Sequence, residues 1–290
     1  MPVARRSVAL AVALVLASAC SGRARAKSHI ALGDAMMERR KVDEAISAYK
    51  KAVEESPDFS DAHRSLGIAF FEKGETQPAI DSLTRAISLD PSDPLALAHR
   101  GMAYVRASDA ARAFADCSGA IKIDPKMPPP SAQLAHSCVC LSGTFTAALE
   151  AARAACERAI QINPQRAFPA VYAAAAKLAE AAHDSDAAII AYEDMIRLAP
   201  KVLDAYPRLA RLKLEKGERD SAIATLNACF AIDPAYGPAH LLFAELAAKD
   251  GKPELASYHL KAASAAGMKI DVELRATIEA IRPDSAGPTK

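Results

Sequence analysis

A chain of 290 residues with 36 basic and 35 acidic side chains is close to neutral, and its 5% aromatic residues include no Trp. That balance gives no electrostatic case for nucleic acid. No P-loop, GxSxG, HExxH or dinucleotide fingerprint occurs either, which leaves an enzyme or a small-molecule substrate without support in the sequence. Met1 to Ala19 has the layout of an export signal: Arg5 and Arg6 form the charged start, and Ser7 to Ala17 is an apolar run too short to span a bilayer. Its removal leaves 34 basic against 35 acidic residues.

Ala17-Ser18-Ala19-Cys20 resembles the bacterial lipobox, with Ala17 where that pattern prefers Leu. The resemblance implies lipidation of Cys20 and a mature chain facing the periplasm, anchored in the outer membrane rather than the inner. Simple cleavage after Ala19 would give a soluble periplasmic protein instead. Residues 20–25 are then a lipidated N-terminus and short linker, and the three basic residues between Ser21 and Lys27 start the folded part close to the membrane. Val8 and Ala9 fit a twin-arginine signal badly, so the ordinary secretory route is expected.

The first folded segment, 26–59, carries Leu32-Gly33, Ala45, Tyr49, Ala52 and Pro57, and Asp43-Glu44 suit the positive start of a second helix. The next, 60–93, has the skeleton His63-x2-Leu66-Gly67-x2-Phe70, then Ala79-x3-Leu83, Ala86 and Pro91. Large residues at i, i+3 and i+7 put one apolar stripe on a first helix, and Gly67 lets a second lie close against it. Gly74 can take φ > 0 and end the first helix; Pro91 ends the second. This skeleton resembles the tetratricopeptide repeat, a helix-turn-helix unit of about 34 residues.

The spacing of Pro57, Pro91, Pro125, Pro164, Pro200 and Pro234 extends the frame: 34, 34, 39, 36 and 34 residues. Glu72-Lys73-Gly74-Glu75 recurs as Glu215-Lys216-Gly217-Glu218, which is four repeats plus the seven extra residues in those gaps. The resemblance therefore implies an all-α fold, a right-handed α-α superhelical solenoid of about seven helix hairpins with a C-terminal capping helix.

The third repeat, 94–127, keeps Gly101, Tyr104, Ala113, Ala120 and Pro125, with Asp93-Pro94 as an N-cap followed by Pro at the first helical position. Arg100 stands where the pattern has Leu and is expected to reach water. In the fourth, 128–166, Pro128-Pro129-Pro130 delay the first helix to Ser131, extra residues fall around Leu141 to Thr146, and Cys138 and Cys156 fill bulky slots. The fifth, 169–202, is thin: Ala175, Ala176 and Ala179 take slots that usually hold larger groups. The sixth, 203–236, has Tyr206, Leu209-Ala210, Gly217, Ala222 and Pro234, and the seventh, 237–267, has Phe243-Ala244, Gly251, Ala256 and Ala263. Residues 271–281 read as a cap helix with Val272, Leu274, Ile278 and Ile281 on or near one side, and 282–290 as a disordered tail.

No catalytic residue, cofactor or metal is expected. His29, His63 and His240 share one repeat position, the aromatic slot of the first helix, which points to packing; His183 falls in a turn and His259 on a second helix. His136 and Cys140 share a helix face, but two ligands make no zinc site. Cys138 and Cys140 point to opposite sides. Cys138 and Cys156 face each other within one hairpin and are the disulfide candidates for an oxidising envelope, with Cys117 as the alternative partner and none for Cys229.

In tetratricopeptide-repeat proteins the first helices line a concave surface that takes segments of other proteins. Carried onto this frame, Met37, Phe71, Val105 and Val139, with Ile68 and Met102 one turn earlier, form an apolar groove stripe. Lys177, Glu180, Arg208, Arg211 and Glu245 make the later groove charged. Neither the window Ile30, Asp34, Ser65, Ala98, Met102 nor the window Ala132, His136, Ala174, Pro207, Arg211 supplies the full Lys, Asn and Arg set of a C-terminal carboxylate clamp. The resemblance implies a non-enzymatic scaffold or adaptor binding other envelope proteins, in secretin or pilus assembly, protease adaptation or polysaccharide export. The competing class is a metal- or redox-dependent sensor using His136, Cys138 and Cys140.

Overall fold

The computed structural model describes residues 3–145, 148–163 and 168–281, with side chains from residue 21 onward. Among these residues fifteen helices and no strand are formed. The chain divides into two compact units, Met1–Ala167 and Phe168–Lys290. Unit 1 holds α1 (Val3–Glu38), α2 (Val42–Glu55), α3 (Ser60–Lys73), α4 (Thr76–Leu89), α5 (Pro94–Arg106), α6 (Ala110–Ile123), α7 (Pro129–Gly143) and α8 (Leu149–Ile162). Unit 2 holds α9 (Pro169–Ala181), α10 (Ser185–Leu198), α11 (Ala205–Glu215), α12 (Arg219–Ile232), α13 (Gly237–Lys249), α14 (Pro253–Ala265) and α15 (Val272–Ala280). Within each unit the helices pair as antiparallel hairpins, and each hairpin packs on the next. The first helices also touch one another from α1 through α7, and α11 touches α13.

Three recurring slots explain why these sequences form these hairpins. The small slot brings the two helices together: a Cβ on Gly67 would lie 2.6 Å from Leu83 Cγ, and Ala135, Ala176, Ala210 and Ala244 fill the same slot fully buried in later repeats. The aromatic slot has a polar tip with a fixed partner, the carbonyl of the proline six residues upstream. His63 Nε2 donates to Pro57 O at 2.9 Å, Tyr206 Oη to Pro200 O at 2.9 Å, and His240 Nε2 to Pro234 O at 2.8 Å. A carbonyl only accepts, so each imidazole carries its proton on Nε2. The third slot is the turn between helices, which takes φ > 0 at Arg40, Gly74, Ser108, His183, Gly217 and Gly251. Glycine adopts this conformation without the Cβ penalty that Arg40, Ser108 and His183 bear.

The repeated tetrapeptide also repeats its contacts. Lys73 pairs with Asp43 on the hairpin before it at 2.9 Å, and Lys216 pairs with Asp186 in the same relation. Asp93 caps α5 through Leu95 N and Ala96 N at 2.9 and 3.0 Å, as its position before Pro94 predicts.

The structure corrects several expectations. Residues 21–25 are not a linker: they belong to α1, where Gly22 is pressed against Glu55 O and Arg25 pairs with Glu55 at 2.6 Å. The side chain of Cys20 lies outside the described residues, as do Pro164, Thr146 and 282–290. Helix α7 starts at Pro129, since Pro at the first helical positions gives up no hydrogen bond. It then runs through to Gly143, past the point where the other hairpins turn with φ > 0, and this absorbs part of the insertion. In the cap helix Ile278 is buried against Ala247, Ala248 and Ala256 with Leu274 and Ile281 alongside, whereas Val272 is exposed.

Arg100 does not run out to water. Its guanidinium makes a bidentate pair with Asp116, Nε to Oδ2 at 2.7 Å and Nη2 to Oδ1 at 2.9 Å, and reaches Thr84 Oγ1 at 3.2 Å. The pairing of Cys138 with Cys156 is also wrong. Cys138 is bonded to Cys117 and Cys140 to Cys156, with Cα separations of 6.0 and 4.7 Å. The reason lies in the packing order: the slot of Cys138 on a first helix faces the second helix of the preceding repeat, as Phe70 packs on the cluster of Ala45, Ile46 and Tyr49. Cys229 is free and buried, and burial pushes its thiol up to about 11.

Candidate partner-binding site

In unit 1 the predicted apolar stripe is mostly used up by internal packing. Phe71, Met102 and Val139 are buried, while Met37, Ile68 and Val105 are half-buried. The Arg106 guanidinium lies 3.5 Å over the Phe71 ring and donates to Phe71 O; the His99 ring meets Phe71 edge-on at 6.0 Å. A stripe covered in this way offers little open apolar area to a partner. Burial, followed by the nearby Arg64, lowers His99 to about 4, and its Nδ1 has no hydrogen-bond partner. Unit 1 holds a cavity of about 410 Å³ over α1, α3 and the start of α5, lined by Lys27, Ile30, Asp34, Arg64, Ser65 and Ile68 among others. Its Asp34 and Arg64 are already engaged: Tyr49 Oη donates to Asp34 at 2.6 Å, and Arg64 pairs with Asp93 at 2.6 Å and Asp61 at 2.9 Å.

Unit 2 presents a larger opening. A cavity of about 710 Å³ runs over α9, α11 and α13, with Glu180 at one side, Arg208 and Arg211 across the middle, and Tyr236, Pro238 and Leu241 beyond. The two arginines are three apart on α11 and so share a face. Arg208 reaches Glu180 on α9 at 3.7 Å, and Arg211 reaches Glu245 on α13 at 3.4 Å. Tyr192 Oη holds Glu180 from behind at 2.8 Å, and Tyr236 Oη donates to Asp204; burial, followed by those carboxylates, raises both phenols. Glu180 and Asp204 are thus fixed while the guanidiniums remain 52% and 58% exposed. Exposed pairs of this kind contribute about 0–1 kcal/mol each. A ligand carboxylate or carbonyl can therefore replace them at small cost, over a floor made apolar by Pro207, Leu212, Leu241 and Leu242.

Of the predicted charged residues, Glu180, Arg208 and Arg211 come together at this cavity; Glu245 adjoins it through Arg211, and Lys177 is exposed outside its lining. Sequence reasoning missed Asp204, Tyr236 and Met268. Tyr236 and Asp204 stand 32 residues apart at the starts of successive first helices, out of step with the 34-residue frame, so the repeat arithmetic gives no signal for the pair; Met268, in the turn after α14, has none either. Cys140 is committed to its disulfide, and among the described residues no group of three or more His, Cys, Asp or Glu is placed to hold a metal. Among the same residues no helix is long and apolar enough to cross a membrane.

Known proteins supply a consistent background. Residues 30–94, 77–128 and 203–236 match models of the tetratricopeptide repeat. Among solved structures, PilF of Pseudomonas aeruginosa aligns over 78% of this chain and 99% of its own, with a TM-score of 0.63 at 18% identity. PilW, described as a widely conserved type IV pilus biogenesis factor, aligns over 74% and 96% with a TM-score of 0.58 at 17% identity. YrrB, described as having an unusual peptide-binding site, aligns over 66% and 95% with a TM-score of 0.54 at 17% identity. No curated protein matches in sequence. At such identities the structural likeness speaks for the fold, an all-α array of tetratricopeptide-type hairpins, and the family models mark the repeats themselves at 30–128 and 203–236.

Proposed function

We propose that the chain is a non-enzymatic scaffold of the bacterial cell envelope that holds a segment of another envelope protein against α9, α11 and α13. The observation that carries this reading is the pair Arg208 and Arg211, half exposed over an apolar-floored cavity and held only by weak, exchangeable ion pairs. The likeness to PilF and PilW supports pilus or secretin assembly as the setting. Ala17 to Cys20 supports a lipid anchor at Cys20, with the repeats facing the periplasm from the outer membrane.

The test is site-specific photo-crosslinking in native envelopes, with the photoreactive residue at Leu241 in the cavity or at Ile190, which is exposed on α10 away from it. A partner should be trapped from position 241, not from 190, and the adduct should vanish when Arg208→Glu and Arg211→Glu are combined. Equal yields from both positions, or an adduct that survives the double change, would reject the site. The anchor is tested separately by labelled palmitate, which should be incorporated by the native chain and not by Cys20→Ser.

A further inference from the structure

We infer that the two disulfides take the place of apolar packing around α7, so that the hairpins of the third and fourth repeats dock together only once the chain is oxidised. Helix α7 docks on its neighbours with few large buried side chains. Its buried set is Gln133, Ala135, Ser137, Cys138, Val139, Cys140, Ser142 and Gly143, in which Val139 is the one large aliphatic side chain. By contrast α3 buries Leu66 and Phe71, and α5 buries Met102 and Tyr104. Two polar atoms of α7, His136 Nδ1 and Ser137 Oγ, are buried without a hydrogen-bond partner, which works against docking. Cys117 and Cys156 stand in the second-helix slot that Tyr49, Leu83, Tyr192 and Leu226 fill elsewhere, and Cys138 stands in the slot of Phe70 and Tyr104. As thiols these residues would underfill three bulky positions at once.

The bonds lie where they compensate. Cys117–Cys138 ties α6 to α7 across two repeats, and Cys140–Cys156 closes α7 on α8 within one. All four sulfur-bearing side chains are essentially fully buried, so an oxidant reaches them only before or during docking. Each bridge forms by thiol–disulfide exchange with a disulfide oxidant. One cysteine thiolate attacks the oxidant's disulfide, the second displaces it, and the oxidant leaves as a dithiol carrying the two electrons and two protons. A chain kept reduced before export retains a loose centre, and its oxidation locks it. This deepens the export reading as to where the oxidant is met; the lock itself does not depend on that reading.

Two measurements test it on the purified full-length chain. After denaturation and thiol blocking, unreduced tryptic digestion should yield residues 113–122, 127–153 and 154–158 as one linked species, because Cys138 and Cys140 share the middle peptide. Hydrogen exchange should then compare oxidised chain with chain reduced in denaturant and refolded under tris(2-carboxyethyl)phosphine. Amide protection in 110–162 should fall on the order of a hundredfold or more on reduction, while 60–89 and 205–249 keep theirs. Three separate peptides, or equal protection of 110–162 in both forms, would overturn the lock. Free thiols at these positions in chain trapped from living cells would refute the export reading and leave an in vitro lock standing.

Discussion

Replacing Arg100 by the leucine that the repeat pattern prefers should destabilise the protein, although it restores the consensus. The Arg100 and Asp116 side chains are 17% and 11% exposed, so their bidentate pair is screened far less than a surface ion pair. Arg100→Leu strips two charge-assisted hydrogen bonds from a carboxylate that stays buried in α6. At about 1.5–3 kcal/mol for each bond to a charged group, and with a partial offset from the new apolar side chain, the net loss is about 2–4 kcal/mol. The same positions in the second repeat hold Leu66 and Ser82, and in the first Leu32 and Ala48. Arg100→Leu combined with Asp116→Ala should therefore recover most of the loss, because a paired charge replaced by apolar groups is close to neutral. Urea unfolding followed by far-ultraviolet circular dichroism, with hydrogen exchange in α5 and α6, measures the cycle. A neutral or stabilising Arg100→Leu, or a double variant as weak as the single, would refute the reasoning.

Other positions give sharper local tests. Gly67→Ala places a Cβ 2.6 Å from Leu83 Cγ and 3.1 Å from Leu83 N, so overpacking should outweigh the gain in helix propensity and cost about 1–2 kcal/mol. Gly119→Ala meets nothing closer than 4.0 Å and should stabilise by up to about 1 kcal/mol, read from the urea midpoint. Ser108→Gly relieves a side chain at φ 59 and should raise stability by about 0.5–1 kcal/mol, while Gly74→Ala, at φ 89, should lower it by about 1 kcal/mol. His99 and His259 are each held down to about 4, mainly by burial. The unfolded chain therefore takes up protons first as pH falls. The stability tied to their neutral forms is complete above about 6.5 and is lost progressively toward pH 4. Urea midpoints at pH 7.5 and 4.5 should differ in that direction, and the difference should shrink in His99→Gln.

Much of the fold was legible because a repeat tests itself. Pro91, Gly74 and the recurring Glu-Lys-Gly-Glu fixed the hairpin frame, and the capped start at Asp93-Pro94 lies where local chemistry requires it. What escaped was anything that depends on which helix a slot faces. Reading Cys138 and Cys156 as neighbours assumed that a hairpin packs chiefly on itself, whereas the Cys138 slot faces backward to α6. The same omission hid Arg100, whose partner Asp116 sits in a slot filled by Ser82 one repeat earlier and by Ala48 two earlier. The apolar stripe was overdrawn for a different reason: helical spacing places Phe71 on the inner face of its hairpin and says nothing of Arg106, which arrives from α5 to cover it.

These departures from the repeat pattern separate structural from functional residues. Where a slot changes for the sake of the core, a second slot changes with it: Arg100 has Asp116, and Cys138 has Cys117, each pair shielded from water and invisible to a partner. Arg208 and Arg211 follow another rule. Arg211 occupies the position of Ile68 and Met102 in unit 1, yet its contact with Glu245 leaves the guanidinium more than half exposed, and Arg208 is in the same state against Glu180. Pairs this open contribute little to folding. The fold alone therefore does not account for two arginines on one face of α11, above an apolar floor; the partner segment proposed above, presenting carboxylates or carbonyls, would.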